Sequence, residues 1–233
     1  MIPIISVINL AIGAGSIYVA ADIYLHIYKH TKNLEYFYFS LMFLFVGMCF
    51  ILVGSAGTFI VNAYLTSFDY VITTLFQFLA LASLVSVIEL IYTHYAVPIF
   101  FWLIAILGAV DAYMSIAHIL PTKSIIASPF IYYLPYGDRT ISYLNGFSSS
   151  FIILIVIAIF LSGYINLRKQ HQGSAMRSLY FVFGGAFLFV GVESIYFWYS
   201  NLHPWNMWVE ALFGLGWLFF FGFAILKGPA KEN

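Results

Sequence analysis

The sequence predicts an all-α integral membrane protein, a bundle of seven transmembrane helices with its N-terminus outside and its C-terminus in the cytoplasm. Three observations carry that prediction. Charged residues are 8% and apolar ones 63% of the chain, against roughly 25% and 45–50% in soluble domains. Long apolar stretches recur along the 233 residues with short polar breaks between them, and a bilayer span needs about 20 mostly apolar residues. Lys29, Lys32, Arg168, Lys169, Arg177, Lys227 and Lys231 then fall on one side of the threading, with only Lys123 and Arg139 on the other. Basic residues mark the cytoplasmic side. The chain is expected to form a single transmembrane domain over residues 1–233, in the cell (plasma) membrane.

The first span, Ile4–Tyr28, begins in apolar residues with no basic stretch and no small-residue cleavage site, so it reads as a helix rather than a signal peptide. The second and third are Leu34–Tyr64 and Phe68–Tyr92, and the fourth is Val97–Ile119. A longer external link, Pro121 to Thr140, leads to the fifth, Ser142–Leu167; Arg177–Trp198 and Trp205–Leu226 complete the set. None of the seven prolines lies deep inside a span. Pro removes a donor that hydrocarbon cannot replace, so continuous helices are expected rather than the broken helices of many transporters. Tyr and Trp concentrate at the span ends, as Tyr28, Tyr64, Tyr92, Trp198 and Trp205 show, where amphipathic rings sit at headgroup level.

Glu35–Gly54 aligns without a gap to Leu179–Trp198, sharing FLFVG in the middle. Helix 2 would then match helix 6 and helix 3 match helix 7, a candidate parallel 3+1+3 repeat with helix 4 as linker. Parallel repeats occur in transporters and sensors alike, so the match bears on architecture more than on activity.

Ionisable residues inside spans usually face the bundle interior and mark function. An outer group comprises Asp111, Glu193 and Glu210, with Asp69, His118 and His203 nearer the surface. Three acids at one level would share a proton or hold a cation, since like charges in low dielectric resist joint ionisation; alternatively each is protonated and hydrogen-bonded, fixing helix packing. A second, cytoplasmic-side cluster comprises Asp22, His26 and His30, with Glu89 and His94 on the same side. Spacing of four puts the first three on one helix face. That face reads as an interfacial polar rim, and no metal site is assigned. Ser148, Ser149 and Ser150 lack a His–Asp pair and read as helix-bonding hydroxyls. Cys49 is the only cysteine, so it supplies neither an internal disulfide nor a cysteine metal set.

Two resemblances follow. The ending of helix 3, IELIYTH at Ile88–His94, and Tyr136-Gly137 before helix 5 resemble the seven-helix input region of some prokaryotic histidine kinases. That likeness implies a sensor; no kinase domain follows in this sequence, so a separate protein partner is expected. Asp69-Tyr70-Val71-Ile72-Thr73-Thr74 is similar to the acidic-aromatic-x-x-Thr-Thr segment of microbial rhodopsins. The likeness implies a chromophore counter-ion, but helix 7 has no interior lysine, Lys227 lying at its end. A Schiff base needs that amine, so covalent retinal is not supported, and no other cofactor is assigned.

The expected role is a non-enzymatic seven-helix sensor or receptor-like protein acting through a partner. The alternatives are a small-molecule or proton-coupled transporter and an accessory subunit of a larger membrane complex. No nucleophile–base pair argues for an enzyme. With zero net charge and no basic run, nucleic acid is not an expected partner; the lipid bilayer is. Sidedness is open to direct measurement in a Cys49→Ser background. A membrane-impermeant maleimide is expected to label Thr122→Cys in intact cells and Gln170→Cys only after permeabilisation.

Overall fold

The computed structural model describes residues 4–56, 63–93, 98–117, 125–128, 131–133, 139–169, 175–193 and 205–226, with side chains at several helix ends, Glu193 and Glu210 among them, left outside the description. Among the described residues there are seven helices. They are α1 (Ile4–Thr31), α2 (Leu34–Ala56), α3 (Ala63–Thr93), α4 (Ile99–Ala117), α5 (Arg139–Lys169), α6 (Ala175–Glu193) and α7 (Trp205–Leu226). The first five are long and apolar enough to cross a bilayer, and α6 and α7 contain shorter apolar stretches, Ala175–Gly191 and Ala211–Ile225. The protein is a helical, multi-pass membrane protein.

One expected boundary is corrected. The second span does not run from Leu34 to Tyr64, because Ala63 and Tyr64 already belong to α3. The small residues Gly54, Ser55 and Ala56 close α2 instead.

Successive helices pack side by side from α1 to α4 and again from α5 to α7, and α7 returns to α1. The link before α5 carries a short antiparallel pair, β1 (Ile125–Ser128) and β2 (Ile131–Tyr133), with Ile125 opposite Tyr133. The second of these strands lies against α1 and α7. By contrast, α4 and α5 barely meet.

Lipid tails are as apolar as Leu, so burial of hydrocarbon does not drive these helices together; close packing and interhelical hydrogen bonds do. The side chains are sorted accordingly. Trp102, Leu103, Phe147, Phe151, Leu212 and Phe219 face outward, whereas Ser6, Asn9 and Ser16 of α1 are fully buried. Where α1 meets α2 the backbones nearly touch. A Cβ on Gly13 would lie 2.8 Å from the Gly47 carbonyl, and one on Gly47 would lie 2.9 Å from the Gly13 carbonyl. Across α6 and α7, rings fill glycine notches instead, Phe221 against Gly184 and Phe187 against Gly216.

Phe181 of α6 is the hub of the aromatic core. It stacks on Phe39 of α2 at 5.5 Å and on Phe160 of α5 at 4.7 Å, and meets Phe221 of α7 edge-on at 5.4 Å. Such pairs contribute about 0.5–1.5 kcal/mol each beyond their buried area. One ring therefore ties four helices together.

α1 widens to a π-helical stretch over Ile23–Tyr28. Just before it, the Ser40 hydroxyl of α2 donates to the Ala20 carbonyl at 2.9 Å, so a neighbouring helix braces the point where the ladder changes register. The turn into α2 is tight. Lys32 adopts a left-handed φ of 54°, and the Asn33 side chain accepts the Glu35 N–H at 2.9 Å as the N-cap of α2.

These contacts separate two glycine substitutions. Gly13→Val forces the α1–α2 backbones apart and is expected to cost about 1–3 kcal/mol, the usual scale for overpacking. Gly222→Ala meets nothing within 4 Å and is expected to be neutral within about 0.5 kcal/mol. Thermal unfolding of the two purified variants measures the difference.

Candidate functional site

The bundle encloses a cavity of about 90 Å³ where α2, α3, α6 and α7 meet. Its walls are mostly apolar, with Val46, Phe50, Leu84 and Phe187 prominent. Rings beside this space are seated against one another and in glycine notches, Phe187 meeting Phe213 at 5.1 Å and filling the notch at Gly216. Gly191 and Gly214 are part of the lining, and a Cβ on Gly191 would find its nearest neighbour, Phe213, only at 4.0 Å.

Three polar groups break the apolar wall. Thr73 and Gln77 of α3 line the cavity one helical turn apart, and Trp217 of α7 lines it from the opposite direction. Both the Thr73 hydroxyl and the Trp217 Nε1 are buried without a hydrogen-bond partner. Orphaned buried donors of this kind cost on the order of 1–3 kcal/mol each. The Cys49 thiol of α2 donates to the Thr73 carbonyl at 3.4 Å. Asp69, a turn before Thr73 on α3, is buried, has a carboxylate oxygen without a partner, and lies within electrostatic reach of Cys49. Asp69, Thr73 and Gln77 thus recur every four residues, which stacks them on one helix face.

Gln77 joins this column to a second polar seam. Its amide donates to the Ser149 hydroxyl of α5 at 2.9 Å, and the Asn145 amide of α5 donates to the Tyr70 hydroxyl of α3 at 3.3 Å. Asp111 of α4 is buried beside this seam, within electrostatic reach of Tyr70. One of its carboxylate oxygens, together with the Ser115 hydroxyl and the Asn145 carbonyl oxygen, has no partner.

Asp69 and Asp111 therefore occupy different settings, one facing α2 and the other in the seam. Both are buried, and among the described residues neither makes an ion pair. Glu193 closes α6 and Glu210 lies in the second turn of α7, but their side chains are outside the described residues. His118, His203 and His94 lie outside them entirely.

At the opposite helix ends, His26 sits 3.8 Å from Asp22 with most of its side chain exposed, and His30 is exposed nearby on α1. Glu89 is occupied elsewhere. Pro98 precedes α4 and has no side-chain acceptor to offer, and the buried Glu89 carboxylate accepts the Ile99 and Phe100 N–H groups at 2.9 and 3.0 Å. The negative group at a helix N-terminus also meets the positive end of the helix dipole. Arg177 makes the converse contact, donating from Nε to the Ala224 carbonyl near the end of α7 at 3.0 Å. Among the described residues, no three His, Cys, Asp or Glu side chains converge as a metal site.

Sequence reasoning singled out the ionisable residues and the segment that holds Tyr70, and passed over Gln77, Trp217 and Asn145. The four-residue recurrence of Asp69, Thr73 and Gln77 was a usable signal. So was Trp217, a tryptophan placed mid-helix rather than at the interface. No family model matches this chain, and no curated protein matches it.

The Glu89 contact can be measured. Glu89→Ala leaves two helix N–H groups unpaired in an apolar setting and is expected to cost about 1–3 kcal/mol, which lowers the melting temperature by roughly 2–4 °C per kcal/mol in a chain of this size. Glu89→Gln retains an acceptor and is expected to lose less.

Proposed function

We propose that this protein is a non-enzymatic, receptor-like membrane sensor, and that the inner cavity is where it takes a small uncharged ligand. The observation that supports this reading is the cavity itself, an apolar chamber lined in part by Thr73 and Trp217, two residues whose buried polar atoms have no partner. Ligand sites combine apolar walls with a few placed polar groups in this way. At about 90 Å³ the chamber is smaller than the roughly 150 Å³ cavities that admit benzene, so the ligand has few heavy atoms. It accepts a hydrogen bond from Trp217 and exchanges one with Thr73.

The four helices round the cavity also give the sensor a way to respond. Packed interiors do not deform continuously, so a change of state needs elements with two discrete arrangements. A ligand that fills the chamber presses α6 and α7 against α2 and α3. Motion of α6 reaches the far end of the bundle through Arg177, which is bonded to α7, and there the exposed His26 and His30 rim and the end of α5 offer a surface to a protein partner. In this reading the N-terminus is outside, the partner is met on the cytoplasmic face of the plasma membrane, and the two parallel helix triplets flank α4.

The test pairs ligand binding with partner recovery. A thermal-shift screen of short aliphatic alcohols and ketones is expected to find compounds that stabilise the wild type. Saturation at a hundredfold over Kd adds about 2.7 kcal/mol. Gly191→Leu, which fills the chamber, is expected to remove that gain without lowering the basal melting temperature appreciably. Purification from the native membrane is expected to recover a signalling partner. Recovery of respiratory or secretion subunits instead would make the chain an accessory subunit. Solute uptake by vesicles holding this chain alone, lost in Glu210→Gln, would make it a transporter.

A further inference from the structure

A second space lies on the outside of the bundle. Because α4 and α5 barely meet, they leave a groove of about 620 Å³ with α3 as its floor, lined by Ile88, Ile104, Phe151, Ile155 and Ile159 among others. Those side chains are aliphatic or aromatic. The groove's polar members, Glu89 and Ser162, both lie toward the end where α4 begins. The Glu89 carboxylate is committed to the first N–H groups of α4, so the groove presents hydrocarbon along its length and polarity at one end.

The dimensions match a single leaflet. Along α5 the lining runs from Phe151, near the middle of the helix, to Ser162, a rise of about 16 Å. Half of a bilayer's hydrocarbon core is about 15 Å. Beyond Ser162, α5 ends in exposed Arg168 and Lys169, two cations past the apolar stretch, the Arg168 guanidinium also donating to the Tyr164 hydroxyl at 3.3 Å. Leu103 and Leu154, next in sequence to the groove's lining on α4 and α5, are exposed apolar residues, so the groove opens to the bilayer.

We infer that this groove is a phospholipid site, holding one acyl chain between α4 and α5 with the lipid phosphate at Arg168 and Lys169. The occupant follows from the fit. A chain lying from the bilayer middle to the interface fills the gap along its length, and the charge at the groove's end is complementary to phosphate. The bound chain takes the place of the α4–α5 contact that the bundle lacks, restoring the dispersion contacts that lining atoms lose beside a void.

The test uses the full chain in nanodiscs containing a phosphatidylglycerol with a diazirine on one acyl chain, with adducts mapped by peptide mass spectrometry after photolysis. Adducts at Ile88, Ile104 and Ile159 are expected to exceed those at the lipid-facing Trp102 and Leu107 severalfold. Ile155→Trp places an indole in the groove from a lipid-facing position. It is expected to lower the groove adducts severalfold while leaving those at Trp102 and Leu107 unchanged, and its melting temperature checks that it folds. Arg168→Ala with Lys169→Ala is expected to reduce the lipid retained through detergent, read by native mass spectrometry. Groove adducts no richer than those at Leu107 would overturn the proposal. So would groove labelling indifferent to Ile155→Trp, lipid retention indifferent to the loss of both cations, or a co-purifying protein helix cross-linked in place of lipid.

Discussion

Hydrocarbon offers a backbone amide or carbonyl no hydrogen-bond partner, and each unsatisfied group there costs several kcal/mol. A chain that is 63% apolar meets that constraint by forming helices, and the interesting chemistry collects where a helix ladder starts, stops or slips. The Glu89 carboxylate takes the first N–H groups of α4, Arg177 takes a carbonyl near the end of α7, and Ser40 takes the Ala20 carbonyl where α1 turns π-helical. In all three places a side chain from a neighbouring helix completes a backbone that cannot complete itself. Helix ends are thereby tied to the tertiary structure, and strain at one helix is felt by the next.

The same solvent removes the usual reason for helices to associate. Close approach replaces it, through bare backbone at Gly13 and Gly47 and through rings in notches at Gly184 and Gly216. Packing by notches is local, and it leaves space where four helices meet without a ring to fill the centre. The inner chamber and the outer groove are two consequences of one packing style. They differ in what surrounds them: the chamber is walled by α2, α3, α6 and α7, whereas the groove opens to lipid.

The buried polar residues divide between these tasks. Tyr70 with Asn145 and Gln77 with Ser149 join α3 to α5, as interhelical hydrogen bonds commonly do in membranes. Thr73 and Trp217 keep unpartnered polar atoms beside the chamber. Satisfied groups fix the frame, and unsatisfied ones beside a cavity are where a ligand gains most. Gln77 lines the chamber and is bonded to Ser149 of α5, so it stands between the chamber and the α3–α5 frame.

Much of the helical framework was legible in the sequence, because a run of apolar residues long enough to cross a bilayer has one stable backbone form there. The boundary after α2 was misplaced. Apolar composition continues from α2 toward α3, so hydropathy alone does not separate the end of one helix from the start of the next. The ionisable residues were legible as exceptions to an apolar background, but their roles were not. Asp22 and Glu89 look alike in sequence, yet one sits 3.8 Å from an exposed imidazole and the other caps the next helix in the chain. By itself the sequence determined that this chain lives in a membrane as helices, since that follows from the free energy of placing each residue in hydrocarbon. Only the tertiary structure decided which faces meet and where space is left. Those outcomes depend on how close two backbones approach, a distance set by pairs of residues far apart in the chain.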